Sequence, residues 1–397
     1  MGYSGGTRPG ASMARGREPR CTAMTLDQDA RAAADQHAER HSDGHINDES
    51  MARVGPPDCG EEVLFYRRAG EAAPRPKLIR KRDIGEAALH AVMAAVAATR
   101  SPDTWPGFCR RVTRLRHGRL VRGLGPFRDG LRAVMGEVPE PEVERYFDQW
   151  WDGQHRRRMM LVREYVGGGP VRFTLTGREH LDAAAALGRG VILWAAPLTS
   201  QTLAGKRGLF EAGIRAYQVS SRHHGFWDTY TRFGDRYLNR LLVGAENRYL
   251  AGRLTFERDD AGMLVRRILR TLKTGAAVIL TNNLYAGRSF VEMRFGKAGF
   301  ISMPTTPIAL ALRGRVPLLS WSTIEREPLS HYEIRMSADL AAEECAAGEA
   351  SPASHDYPAM ARIALRTRDE ILAAVMEAPD QLLSWPPFAR SVPLRPG

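Results

Sequence analysis

The hydrophobic rhythm of the chain changes near residue 171, and that change divides it. Up to about residue 75, apolar residues are sparse and follow no period, while Gly, Arg, Asp, His and Ala dominate. Such a segment buries too little apolar surface to offset the entropy of ordering, so residues 1–75 are expected to be disordered. Between 76 and 170 the spacing turns helical. In IGEAALHAVMAAVAA, Ile84, Ala88, Leu89, Val92 and Val96 recur on one face, predicting a helix too short to cross a bilayer. The stretch WPGFCRRVTRLRHGRLVRGLGPF interleaves Arg110, Arg111, Arg114, Arg116, Arg119 and Arg122 with Val112, Leu115, Leu120 and Val121. Two readings fit it: a basic amphipathic helix lying on an anionic membrane surface, or a helix packed through its apolar residues with a solvated basic face. A third helix, EPEVERYFDQWWDGQHRRRMMLVREYV, adds aromatics and the basic cluster Arg156 to Arg158.

From residue 171 to 388, short apolar runs alternate with helical patterns. VRFTL, VILWAA, AYQVSS, AAVILTNN and VPLLSWSTI read as strands. REHLDAAAALG, TLAGKRGLFEAG, FWDTYTRFGDRYLNRLL, MLVRRILRTLKTG, TTPIALALRGR and MARIALRTRDEILAAVMEA read as helices. Repeated strand–helix units predict an α/β fold, a mostly parallel central sheet flanked by helices, with the helical segment on its N-terminal side. In the aromatic helix, Phe226, Tyr230, Phe233, Tyr237 and Leu241 form one stripe, which fits core packing or the wall of an acyl-chain groove. Residues 389–397 read as a loose tail.

Charge changes this picture. The 397 residues carry 57 Lys and Arg against 45 Asp and Glu, a formal net charge of +12. The excess suits anionic partners or gives a generally basic surface. Without aromatic platforms or a reading helix, a nucleic-acid partner is not expected. Cys21, Cys59, Cys109 and Cys345 are far apart and form no metal or disulfide spacing, which suits a reducing compartment. The first residues lack the apolar core of a secretory signal, so the chain is expected in the cytoplasm.

The chemistry is sought after the second predicted strand, in GVILWAAPLTSQTLAG. In open α/β folds the reacting groups stand beyond the carboxyl ends of the strands, and here the chain runs into Pro197, Thr199, Ser200 and Thr202. The lead-in GREHLDAAAALGRGVILW resembles the approach to the active site in the bacterial lauroyl/myristoyl (lipid A biosynthesis) acyltransferase family, akin to the glycerolipid acyltransferases. TLKTGAAVIL, then AGRSFVEMRFG with SMPTTPIALALRGRVPLL, then APDQLLSWPPF keep that family's order across roughly residues 80–388.

The resemblance implies transfer of a fatty acyl group from an acyl-carrier protein or coenzyme A thioester to a lipid or sugar hydroxyl, with no bound cofactor or metal. It also implies a peripheral place at the inner face of the cell membrane. The family's chemistry needs a histidine as general base and an acid five positions later. Those positions fall on Pro197 and Thr202, which can do neither task. A second family signature falls on Asn282, Asn283, Leu284 and Tyr285, without its acids. The histidine of the family ending falls on the Pro386–Pro387 pair. Arg222 and Arg288 match basic positions suited to phosphate or carrier groups, since a guanidinium meets phosphate in bidentate fashion, or are surface or helix-terminal residues; Ser200 joins them as a substrate-binding candidate.

Substitute catalysts are few. His223 and His224 follow the AYQVSS strand, beside the expected site, and a histidine there titrates near neutrality or serves only as a loop residue. His180 suits packing or capping, and His117 and His155 a charged helix face. Ser200 and Thr199 lack a nucleophile elbow and a matching acid–histidine pair. Glu257, Asp259 and Asp260 suit first-turn charge against a helix dipole. Two functions therefore stand: a divergent acyltransferase with a relocated base, or a catalytically inactive lipid-binding or partner-binding scaffold.

Overall fold

The computed structural model describes residues 51–53, 63–68, 76–222, 224–225, 231–256, 261–282, 289–347, 356–386 and 388–389. The central element is a 7-stranded sheet in the order β3-β11-β10-β4-β7-β5-β6. Its strands are β3 (Arg172–Thr176), β4 (Val191–Ala195), β5 (Ala216–Ser221), β6 (Gly252–Phe256), β7 (Ala277–Thr281), β10 (Leu318–Glu327) and β11 (His331–Met336). From β10 through β6 every pairing is parallel, whereas β11 runs antiparallel to β10 and carries β3 in parallel. The expected α/β fold with a mostly parallel sheet is present. β4 is central, which is why Val191 to Ala195 are all apolar and all buried.

Nothing in the strand–helix alternation announces β11, although HYEIRM follows the rule for a half-buried strand. Tyr332, Ile334 and Met336 are buried, and His331, Glu333 and Arg335 lie between them. The helices of the alternating region are α5 (Arg178–Ala186), α6 (Leu203–Glu211), α7 (Asn239–Asn247), α8 (Ala261–Leu272), α9 (Thr306–Gly314), α10 (Ala342–Ala347) and α11 (Tyr357–Glu377). α6 approaches the sheet closely at Gly205, where a Cβ would stand 2.5 Å from the Thr323 hydroxyl and 3.0 Å from the Trp321 ring.

A 4-stranded sheet, β1-β2-β8-β9, is a feature the sequence reading did not foresee. It joins β1 (Met51–Arg53) and β2 (Val63–Arg68) to the hairpin β8 (Ser289–Phe295) and β9 (Gly299–Pro304), all antiparallel. The expectation of disorder through residue 75 therefore fails at these strands. Val63, Phe65 and Tyr66 are buried, and Phe65 meets Tyr357 while Tyr66 stacks on Phe290. A run of only six residues gains its stability from a distant hairpin, not from its own neighbourhood.

The helical segment holds α1 (Lys81–Thr99), α2 (Trp105–Leu120), α3 (Leu124–Met135) and α4 (Glu140–Val166). α2 sends Trp105, Cys109, Val112 and Leu120 into the interior and leaves Arg110, Arg111, Arg114 and Arg119 outside, as the packed-helix reading requires, while Arg116 is half-buried. α1 departs from the predicted face. Ile84 and Val92 are exposed, while Asp83, Glu86, Met93 and Ala97 are buried. The cause is electrostatic: Arg158 of α4 donates to both carboxylate oxygens of Glu86, at 2.9 and 3.0 Å, and rotates that face inward. The basic cluster Arg156 to Arg158 is likewise turned into the structure, with Arg156 bound to Glu325 at 2.6 Å.

Candidate functional site

The loop after β4 is where the acyltransferase resemblance asks for its base, and the structure closes it. The Ala196 amide donates to Trp321 O at 2.8 Å, and Leu383 N donates to Pro197 O at 2.8 Å. Leu198 bridges Leu382 in antiparallel fashion, so the segment before Trp385 lies across the end of the strand. Trp150 Nε1 and Gln154 Nε2 from α4 hold that segment through Leu382 O and Leu383 O. Asn282 Nδ2, just past β7, donates to Ala195 O at 3.1 Å, and Gln201 Nε2, in the turn after β4, donates to Trp321 O of β10 at 3.3 Å. Asn282 therefore acts here as a tie to β4.

What remains open beside this loop is a hollow of about 10 Å³, room for roughly one water molecule. Arg157, Thr199, Ser200, Thr202, Glu325 and Tyr332 line it. Its carboxylate, Glu325, is committed to Arg156, to the Leu329 amide at 2.8 Å and to the Tyr332 hydroxyl at 3.2 Å. Neither Pro197 nor Thr202 can take a proton as a base, and among the described residues no histidine lines the hollow.

One turn beyond Thr202, on the same face of α6, stands Lys206. Its ammonium donates to Glu246 Oε1 at 2.7 Å, where α7 ends. The second oxygen, Glu246 Oε2, meets His224 Nε2 at 2.9 Å and Arg253 at 2.7 Å. Arg253, on β6, also donates to Ser220 Oγ at 3.1 Å. An imidazole and a carboxylate are thus paired at the carboxyl end of β5, two strands from β4. Arg157, which lines the hollow, feels the Glu246 charge while burial and then Arg158 push it down to about 10. The hollow and the cluster are electrostatic neighbours.

The charges in this cluster balance unevenly. Burial raises the Glu246 carboxyl, but Lys206, His224 and Arg253 outweigh it and hold it well below the usual range. Burial lowers His224, against the pull of Glu246, so the imidazole is neutral near pH 7. Burial also brings Lys206 down to about 8. With Nε2–H directed at Glu246, the other ring nitrogen carries a lone pair, and the side chain keeps 22% of its surface exposed. Gly225 lets the loop close behind it, because a Cβ there would fall 1.6 Å from Asn239 Oδ1.

Of the residues singled out from the sequence, Ser200 and Thr202 meet at the hollow, His224 belongs to the Glu246 cluster, and Arg222 is an exposed turn residue after β5. His223, Asn283, Tyr285 and Arg288 lie outside the described residues, as do Phe226, Tyr230, Glu257, Asp259, Asp260 and Pro387. His155 is not on a charged face. It is fully buried, held by the Thr113 hydroxyl at 3.0 Å, and burial, then Arg158, pushes it down to about 3. His180 is exposed on α5 and its side chain makes no cap, although its ring lies near Gly177. Glu246, Lys206 and Arg253 were not anticipated. The signal for Glu246 was an acid spaced with Asn239 and Leu242 on the inner face of a helix that runs past its expected end.

Among the described residues no group of His, Cys, Asp and Glu could hold a metal ion, and no helix is long and apolar enough to cross a membrane. No protein-family model matches this chain, and neither does any curated protein.

Proposed function

We propose that the chain is a divergent lipid acyltransferase of the glycerolipid acyltransferase-like class, in which His224, oriented by Glu246, replaces the missing base at Pro197. The observation that carries this reading is the 2.9 Å pair between His224 Nε2 and Glu246 Oε2 beyond the carboxyl end of a parallel strand. The segments behind the resemblance lie on β4, on α8 with β7, and on β8 through β10.

The donor would be an acyl thioester of coenzyme A or an acyl-carrier protein, the acceptor a lipid or sugar hydroxyl at an anionic, cytoplasm-facing membrane surface. His224 Nδ1 takes the hydroxyl proton while that oxygen bonds to the thioester carbonyl carbon. The tetrahedral intermediate collapses, the carbon–sulfur bond breaks, and the thiolate leaves with the proton returned by Nδ1. Glu246, kept ionised by Lys206 and Arg253, steadies the transient imidazolium. Arg222 and Arg288 would meet the phosphates of the donor.

A second reading, an inactive lipid-binding or partner-binding scaffold, is favoured by one specific observation. Glu246 already has Lys206 and Arg253 as partners, which is also how a structural hub is built. Thiol release from acyl-coenzyme A and from an acyl-carrier-protein thioester, with detergent-dispersed glycerolipid as acceptor, separates the two. Wild-type turnover that falls at least a hundredfold in His224→Ala, with the fold intact by circular dichroism, is expected. Absence of thiol release from wild type would leave the scaffold.

A further inference from the structure

Beside the His224 loop, the strap formed by residues 76–80 lies against the start of a long helical run. Lys77 bridges Thr231 in parallel fashion, and the amides of Arg232 and Phe233 donate to Lys77 O and Leu78 O at 2.8 and 3.0 Å. From residue 232 the run widens into a π-turn over Gly234–Leu238 and continues as α7. It presents two stripes outward. Leu78 is 72% exposed, and Phe233 beside it meets Tyr237, 53% exposed, at 5.1 Å between rings. One turn on comes exposed Leu241, whose carbonyl takes the Tyr165 hydroxyl at 2.6 Å. Alongside, Arg232, Arg236 and Arg240 recur every four residues, all exposed.

Each stripe is unfavourable in water alone. Arginines spaced four apart on a helix repel one another. A continuous run of large apolar side chains is costly to leave wet. Together they describe a surface that inserts apolar side chains while its guanidiniums meet phosphates. We infer that this face, strap 76–80 with the helical run 232–247, docks the protein on an anionic lipid bilayer and holds the His224 loop against it. The inference rests on the acyl-transfer reading for its purpose but not for its test. It also selects between basic surfaces: the arginine face of α2 offers isolated Leu115, with Val121 just past the helix end.

Flotation of the full-length protein with neutral phosphatidylcholine vesicles, and with vesicles containing phosphatidylglycerol, tests it. Wild type is expected to float only with the anionic vesicles. The triple variant R232Q/R236Q/R240Q should lose roughly a hundredfold in partitioning. Leu78→Ser with Tyr237→Ser should lose binding without losing its salt dependence. The control R110Q/R111Q/R114Q should bind as wild type does. Loss in the α2 control with retention in the Arg232 triple would overturn the assignment, as would equal binding to both vesicles. A halved solution mass in L78S/Y237S, read by sedimentation velocity, would also overturn it, making this face an interface between copies. Thiol release from soluble acyl-coenzyme A without vesicles reports on His224 separately, so failure of either idea is recognisable.

Discussion

Protonating or removing Glu86 should unlock the helical segment from within. Glu86 and Arg158 form a bidentate pair with side chains only 8% and 2% exposed, so water cannot replace either partner. Burial alone would raise the carboxyl; Arg158 outweighs it and brings Glu86 down from 4.5 to about 2. A carboxyl depressed by that much contributes about 3 kcal/mol at neutral pH, at 1.36 kcal/mol per unit. Because the unfolded chain binds the proton more readily, this contribution is full above pH 4.5 and is lost as pH falls toward 2. Glu86→Gln leaves the Arg158 guanidinium buried without its counter-charge and should cost about 3–5 kcal/mol at pH 7. The assay is urea unfolding followed by tryptophan fluorescence at pH 7, 4.5 and 3. Wild type should lose stability steeply below pH 4.5, and E86Q should start lower with a shallower acid slope. Glu86→Met combined with Arg158→Met should recover most of the loss, since a well-packed apolar pair of similar volume avoids the desolvation cost. An unchanged urea midpoint in E86Q, or an acid slope equal to that of wild type, would refute the reasoning.

Other consequences are as direct. His155, held neutral at about 3, makes the unfolded chain the better proton binder between pH 3 and 6.5, so stability should rise with pH across that window. His155→Phe should flatten the rise in the same urea series. Burial pushes the Cys109 thiol up to about 12, whereas Cys345 is only partly buried. Iodoacetamide followed by peptide mass spectrometry should label Cys345 in the native protein and Cys109 only after unfolding. Gly225→Val forces the His224 loop off Asn239, and thioester turnover should fall as far as in His224→Ala. Pro197→His with Thr202→Glu should yield no thioester hydrolysis, because Leu382 and Leu383 lie across that strand end and the hollow beside it is about 10 Å³. Hydrolysis by that variant would show the loop opening in solution.

Local pattern was enough wherever burial on both faces makes a strand uniformly apolar. Val191 to Ala195 and Ala277 to Thr281 declare themselves, and the helices between them follow from spacing and terminal glycines such as Gly275. The antiparallel elements β1, β2, β8, β9 and β11 and the parallel edge strand β6 were missed because a short strand acquires its meaning only from its partner. His224 was singled out as a residue, but not its partner: Glu246 lies 22 positions along the chain, and β6 carries Arg253 in from the sheet edge.

By itself the sequence determined strands β4, β5, β7 and β10 of the parallel core, the helices between them and the lack of a titratable group at Pro197, because these depend on residue type and short-range period. Only the tertiary structure decided which charges face inward. Arg158 and His155 sit in stretches that read as a basic surface, yet buried carboxylate and hydroxyl partners on other helices draw them into the interior. The reason is physical: a charge goes inside only where a distant partner compensates its desolvation, and helical period carries no information about that partner.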